Sequence, residues 1–390
     1  MNRFRTAAAS LVWCVIAGCS FNANGNVTDA VVRVDSNNDG NLPDATLDGA
    51  IPDAAPQPFI VDHLGAVEPT LTTANLVIDQ ATEITSLPLV GTTQTSGGAI
   101  AVLYFDTLTV NARLRIGGNS PVLLVGNNIV INATGSIDAS AIGTTPGAGG
   151  GSFAARGAGG GGNGVAQNNG RGDSGGGGAG FATVGGSGGS DNNNAYPAGM
   201  AGVMYGDANL TTLVGGSAGG DATCATPARG GGGGGSVQLS AKVRITLNGP
   251  VLAGGGGGAG GTSCNDTESG AGGGAGGAIY LQSPQIVAAP SGGAFANGGG
   301  GGGGAIFANG TTANGVAGNN GGAVTTGAAG GIGGNNQNDR KGGNGGALNG
   351  AASSGGVAAN GGGGGGAVGR IVVHGPVPAT GTFSPAPTAI

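Results

Sequence analysis

Side chains that do chemistry are scarce in this sequence. Its 390 residues include two histidines, His63 and His374, one tryptophan, Trp13, and only 8% charged and 4% aromatic residues. So small a stock of titratable groups leaves little from which to assemble acid–base machinery. Basic residues are few and outnumbered. Of 13 Lys+Arg, Arg3 and Arg5 fall in the first eighteen residues, so 11 remain against 19 Asp+Glu. No basic patch exists to gather phosphates, which argues against nucleic acid as a partner. Trp13 lies in the same leading stretch, and the rest of the chain lacks a broad aromatic platform for stacking sugars or bases. Helices are excluded by what replaces these residues. Glycine fills 96 positions, at a cost of about 1 kcal/mol each inside a helix. Collagen is excluded too, because glycine does not recur strictly at every third residue with proline. Glycine abundance empties the many G-x-G-x-x-G matches of meaning, and no run continues into the Lys-Ser/Thr of a P-loop.

The first residues have a definite pattern. Arg3 and Arg5 precede a mostly apolar run from Thr6 to Ile16, too short for the roughly 20 residues that span a bilayer as a helix. The run closes as Ile16-Ala17-Gly18-Cys19. This resembles the lipobox of bacterial lipoproteins. The resemblance implies a signal peptide over 1–18, cleavage before Cys19, and acylation (palmitate or similar chains) of that cysteine as a membrane anchor. Ser20, in place of an aspartate, implies sorting to the outer membrane. Two or three acyl chains suffice for stable anchoring. The expected localisation is therefore that of an exported outer-membrane lipoprotein, periplasmic or surface-exposed.

Residues 19–61 read as an acidic linker without apolar periodicity. Seven acids lie between Asp29 and Asp62, opposed by Arg33 alone, and such a segment buries too little to offset its ordering entropy. Asp35, Asn37 and Asp39, followed by Gly40, match the opening of a calcium loop. The twelfth position is Thr46 rather than Glu, and no helices flank the loop, so a solvated spacer is the better reading. No cofactor is expected beyond the lipid on Cys19.

Residues 62–390 carry a repeat between the glycine runs. Leu108-Thr109-Val110-Asn111-Ala112 aligns with Ile129-Val130-Ile131-Asn132-Ala133 and Ile245-Thr246-Leu247-Asn248-Gly249. A fourth copy starts at Ala278. A fifth ends at Ile371-Val372-Val373-His374-Gly375-Pro376, which puts His374 in the asparagine position. Within the copies apolar residues alternate: Val237, Leu239, Ala241, Val243, Ile245 and Leu247 share one face. Period two means strands with one side buried. The pattern predicts an all-β fold, a parallel β-helix or solenoid, with 74–90 as a capping coil. The residues Asn111, Asn132, Asn248 and His374 are expected to form a turn ladder, tolerating the left-handed conformation and bonding side chain to side chain.

Three glycine-rich insertions, 143–235, 253–277 and 296–366, interrupt the strands. Phe153, Phe181, Tyr196, Met200, Val203, Tyr205 and Leu213 in the first, and Ile306, Phe307, Ile332 and Leu348 in the third, are seeds of order that a plain linker lacks. Such runs can pack as extended left-handed helices, because backbones without Cβ approach closely. In composition the chain resembles the glycine-rich tips of some phage adhesins and certain glycine-rich antifreeze proteins. Cys224 and Cys264 each sit six residues before a glycine run and are expected to form a disulfide; no His or further Cys joins them to suggest a metal site.

Catalytic constellations are missing. Asp106, Asp138 and Asp266 occupy unrelated places in the repeat. Asp173, Asp191, Asp207 and Asp221 do not hold the spacing of calcium-binding nonapeptides, and Arg171-Gly172-Asp173 reads as chance. The expected function is that of a non-enzymatic scaffold or adhesin, with surface glycans or other envelope proteins as partners. A β-helix polysaccharide lyase or hydrolase is the rival and would need in-register acids on one face. Ice or surface binding is the third reading.

Overall fold

The chain is all-β with parallel sheets in the computed structural model, which describes residues 58–65, 68–85, 94, 98–166, 173–192, 196–222, 227–263, 267–308 and 310–390. Cys19, Asp35, Asn37, Asp39, Asp266, Cys224 and Cys264 lie outside these residues. Among the described residues there is no α-helix.

Strands alternate between two sheets as the chain advances. β1 (Leu76–Ile78), β4 (Thr107–Val110), β6 (Val122–Ile131), β8 (Ser236–Leu247), β10 (Ala278–Gln282), β15 (Arg370–His374) and β17 (Thr388–Ala389) lie side by side in the first sheet. β3 (Ala101–Tyr104) also pairs with β6, and β11 (Ile286–Ala288) with β8. The second sheet runs β2 (Thr82–Ile84), β5 (Arg113–Ile116), β7 (Ser136–Asp138), β9 (Pro250–Leu252), β12 (Gly293–Phe295) and β16 (Thr382–Ser384). Every ladder in both sheets is parallel. Among the described strands the antiparallel ladder is the small hairpin of β13 (Ile306–Ala308) and β14 (Thr311–Ala313), beside isolated antiparallel bridges in the loops. Between the sheets Leu108, Val110, Leu114, Ile116, Ile129, Ile131, Ile245, Leu247 and Val251 are fully buried. Of the segment expected as a capping coil, residues 74–85 supply β1 and β2, an edge strand of each sheet.

The aligned asparagines are only partly as expected. Leu108 pairs with Ile129 and Ile129 with Ile245, the register that the repeat predicts. Asn132 Nδ2 donates to Asn111 Oδ1 at 2.6 Å, and Asn111 Nδ2 donates to Asp79 Oδ1 at 2.6 Å. Asn248 continues the stack through its backbone N–H to Ile131 O. None of the three has a positive φ. Asn111 and Asn132 serve the corner by side-chain bonding, Asn248 by its backbone, and none by left-handed conformation. His374 is a correction: it pairs with Gln282, which pairs with Ser240, so it stands at mid-strand level and not in the asparagine stack. Ile371 accordingly stacks on Ile279 and Val237, not on Ile245. A short apolar run matched two places in the unit, and the sheet register chose the other one.

A second correction concerns β8. Its alternation breaks at a bulge opposite Gly126 and Asn128, which turns Val243 outward to 51% exposure. A Cβ at Gly126 would lie 2.2 Å from the ring of buried Phe105, so glycine is needed there to seat the ring. Gln238 and Ser240 are buried as well, so the outer face of this sheet is covered, not solvated.

The glycine-rich segments leave the sheets between β7 and β8, β9 and β10, and β12 and β15. Their backbone bonds recur with period three. Gly175 and Gly178 donate to Gly189 and Gly186; Gly176 and Ala179 donate to Gly270 and Gly273; Gly177 and Gly180 donate to Gly162 and Gly159. The same stretch accepts from Gly199 and Gly202, from Gly364 and Ala367, and from Gly220. One extended segment therefore donates to three neighbours and accepts from three others. Residues 270–277 repeat the arrangement, donating to 361–367, 253–259 and 217–220. These bonds run between segments, so an extended stretch offers its N–H and C=O groups to its neighbours. Glycine is required here for closeness, not for positive φ. A Cβ at Gly178, Gly272 or Gly363 would meet a neighbouring carbonyl oxygen at 1.9 Å.

Of the apolar seeds, Phe181 and Leu213 are fully buried in a second core, where they join Leu210, Leu123, Val125 and Val372. Phe153, Met200, Val203, Phe307 and Leu348 face outward.

Candidate functional site

One constellation gathers polar side chains from distant parts of the chain, and both histidines belong to it. Residues 58–64 lie across the outer face of the first sheet, with Val61 buried in the second core. Asp62 Oδ2 accepts from Tyr280 Oη at 2.8 Å and lies 2.6 Å from His374 Nδ1. His63 Nδ1 lies 2.6 Å from Gln238 Oε1, and its Nε2 lies 2.5 Å from Leu210 O. The two residues that meet here both hold left-handed backbone, His63 at φ 73° and Leu210 at φ 52°. Non-glycine residues occupy that region only when their surroundings hold them there.

The rest of the cluster is saturated. Gln238 Nε2 donates to Asp62 O and Ser240 Oγ, and Ser240 Oγ donates to Gln282 Oε1 at 2.9 Å. Gln282 Nε2 donates to Ile60 O. Burial, together with the Asp62 carboxylate beside its hydroxyl, pushes the Tyr280 phenol far above its ordinary value, so it remains a donor. A pocket of about 470 Å³ opens beside the cluster, lined among others by Phe59, Lys242, Ser283, Pro284 and His374. Ser240 is committed to Gln282, and no hydroxyl among the described residues bonds to His374 other than Tyr280. Ser240 is therefore not paired with either histidine. What it does is fasten a strap to a sheet.

The row of this face is Ser240, Gln282 and His374, one above the other, not a ladder of carboxylates. Asp138 lies elsewhere, where Arg113 Nε donates to it at 2.9 Å. Asp106 accepts from Asn127 Nδ2 at 2.6 Å. Asp173 is buried at 4% exposure. Asp207 accepts from the Thr211 N–H, which with its neighbours holds its carboxyl below the ordinary value. Among the described residues no three His, Cys, Asp or Glu side chains converge as a metal site.

A second polar node is built on Asp221, between glycine segments. Its carboxylate meets Arg156 at 3.0 Å and Arg229 at 2.9 Å, and accepts from the Gly230 N–H at 2.8 Å. Nearby Glu268 is fully buried and accepts from the Ala228 and Thr262 N–H groups. Burial pushes its carboxyl up, and the negative charge of Asp221 adds to this, while the three bonds it accepts pull the other way. Composition did not single out Glu268, Gln238, Gln282 or Tyr280 as site residues. A signal was present only for the last three, as polar residues in the alternating rows of β8 and β10. Comparison with protein-family models, with curated proteins and with solved structures found no match to this chain.

Proposed function

We propose that this chain is a non-enzymatic scaffold or adhesin of the cell envelope, anchored at the outer membrane by acylated Cys19. Its body is read as a parallel β-solenoid whose coils each cross the first sheet, turn at the asparagine corner and enter the second. The insertions are read as extended left-handed glycine helices packed against it. The observation that carries this reading is the bonding of 173–181 and 270–277, each donating to three neighbours and accepting from three. A chain that invests so many residues in stiff backbone packing, and whose polar cluster is saturated, has shape as its product. The partners it fits are surface glycans or other envelope proteins, met by the outward side chains of the bundle.

Hydrogen–deuterium exchange on the whole mature protein in detergent tests the rigidity. Slow exchange is expected both in β6, β8 and β10 and in 175–180 and 270–277. Slow exchange in the strands alone would remove the rigid surface and with it the scaffold reading. Intact mass of the native protein tests the anchor and the bridge together. The expected mass is that of a chain starting at Cys19, carrying acyl groups, with Cys224 and Cys264 unreactive to alkylation before reduction. An unacylated chain would sink the anchor; two free thiols would sink the bridge.

A further inference from the structure

Eight Asn-Gly pairs lie wholly within the described residues: at Asn163, Asn248, Asn297, Asn314, Asn320, Asn344, Asn349 and Asn360. The glycine N that follows an asparagine can attack its side-chain carbonyl, because no Cβ hinders the approach. Whether it does depends on two freedoms: the amide must swing, and the glycine N–H must leave its own hydrogen bond.

Five of the eight amides are pinned. Asn163 Oδ1 accepts from the Asp221 N–H, Asn320 Oδ1 from Gly143 and Gly257, and Asn344 Oδ1 from Gly330. Asn297 donates to Gly322 and Val324 and accepts from Ser384. Asn360 donates to Ala305 and Thr267 and accepts from Asp173. These asparagines tie segments together, and the tie immobilises the reactive carbonyl. Asn314 and Asn248 have looser amides, but their glycines are gripped. Gly315 N–H donates to Gly261 O at 2.9 Å, and a Cβ there would meet Gly303 O at 1.9 Å. The Gly249 N–H bond to Ile131 O is long at 3.2 Å, but a Cβ there would meet Gly135 O at 2.1 Å, so the backbone has no room to turn.

Asn349 and Gly350 differ in both respects. They end a tight turn, Ala347 to Gly350, and both are exposed. Gly350 has nothing within 4 Å of a Cβ position, and its N–H is held only by a 3.2 Å bond to Ala347 O. We infer that Asn349 is a site of spontaneous covalent modification, where the folded protein converts asparagine to aspartate and isoaspartate. Gly350 N bonds to Asn349 Cγ, the Cγ–Nδ2 bond breaks, and ammonia leaves with the displaced proton. Water then opens either carbonyl of the succinimide ring, giving the two acids. The product adds a negative charge and, as isoaspartate, an extra methylene in the turn. Leu348 N–H donates to Ser384 Oγ at 2.9 Å, and Ser384 donates to Asn297, so the change strikes where this turn docks on β16.

The test is peptide mapping of the full mature protein after prolonged incubation at neutral pH, reading at each of the eight sites the mass gained when an amide becomes an acid. In the folded protein conversion at Asn349 is expected to outrun the other seven by more than about tenfold, as loop tips do when the remaining backbone is protected. In denaturant the eight are expected to converge. Gly350→Ala, which has open space and no positive φ, should keep the fold and slow Asn349 by more than about tenfold through the added Cβ. Equal conversion across the eight sites in the folded protein, or an unchanged rate in the variant, would overturn the inference.

Discussion

Replacing Gly272 by alanine is expected to destabilise the bundle by about 3 kcal/mol or more, at the upper end of what overpacking costs. The added Cβ would stand 1.9 Å from Gly177 O, 2.5 Å from its carbonyl carbon and 2.9 Å from Gly178 N. Side chains yield to such pressure by changing rotamer, but here every offended atom is backbone. Gly177 cannot retreat, because its N–H is held by Gly162 O and its O by the Gly220 N–H. Gly272 cannot retreat either, because it donates to Gly220 O and accepts from the Gly231 N–H. Shifting one segment breaks bonds to several others. Gly322→Ala is the matched control. Nothing lies within 4 Å of its Cβ position and its φ is not positive, so it should change stability by less than about 0.5 kcal/mol. Urea unfolding of both variants, followed by exchange protection in 173–181 and 270–277, reads the difference. Equal midpoints would mean that these backbones are not in close contact.

The same closeness explains what could be read in advance and what could not. Alternating Leu108, Val110, Leu114 and Ile116 announced strands, and the spacing of Asn111 and Asn132 announced one turn of stacking, because both are local regularities with period two and a fixed corner. His374 was misplaced because Ile371-Val372-Val373 is apolar at every position and fits any strand of the unit. Only pairing with Ile279 to Leu281 settles its level. Val243 faces outward because the bulge between β6 and β8 breaks the alternation, and that bulge leaves no mark in the sequence of β8 itself. The strap is a matter of long-range geometry: Asp62 and His63 meet Tyr280, Gln238 and His374 from far along the chain. Glycine runs were legible as a demand for closeness. Which run lies against which was not, since one glycine looks like another and the order is decided by backbone bonds alone.

Asp221→Asn should cost about 2–3 kcal/mol. Breaking a buried ion pair typically costs 3–5 kcal/mol, but Arg156 and Arg229 keep 24% and 43% of their side chains exposed, and solvent recovers part of the loss. The variant keeps the shape and the Gly230 bond, while two guanidinium groups lose the charge they converge on. Arg156 suffers most, because its Nε is already buried without a partner. Three glycine segments meet at this residue: 156–164 through Arg156 and Asn163, 228–235 through Arg229 and Gly230, and its own. Exchange protection should therefore fall in all three, with Ala218 and Gly161 opening together, while β4 and β6 stay protected. Removing one negative charge also relieves Glu268, whose carboxyl Asp221 helps push up, so its titration should move down in the variant. Lys242→Ala, which cuts the exposed pair with Glu68, should leave stability unchanged within error. If Asp221→Asn behaves like Lys242→Ala, the glycine segments are held by their backbones alone and the buried ionic node adds nothing to their packing.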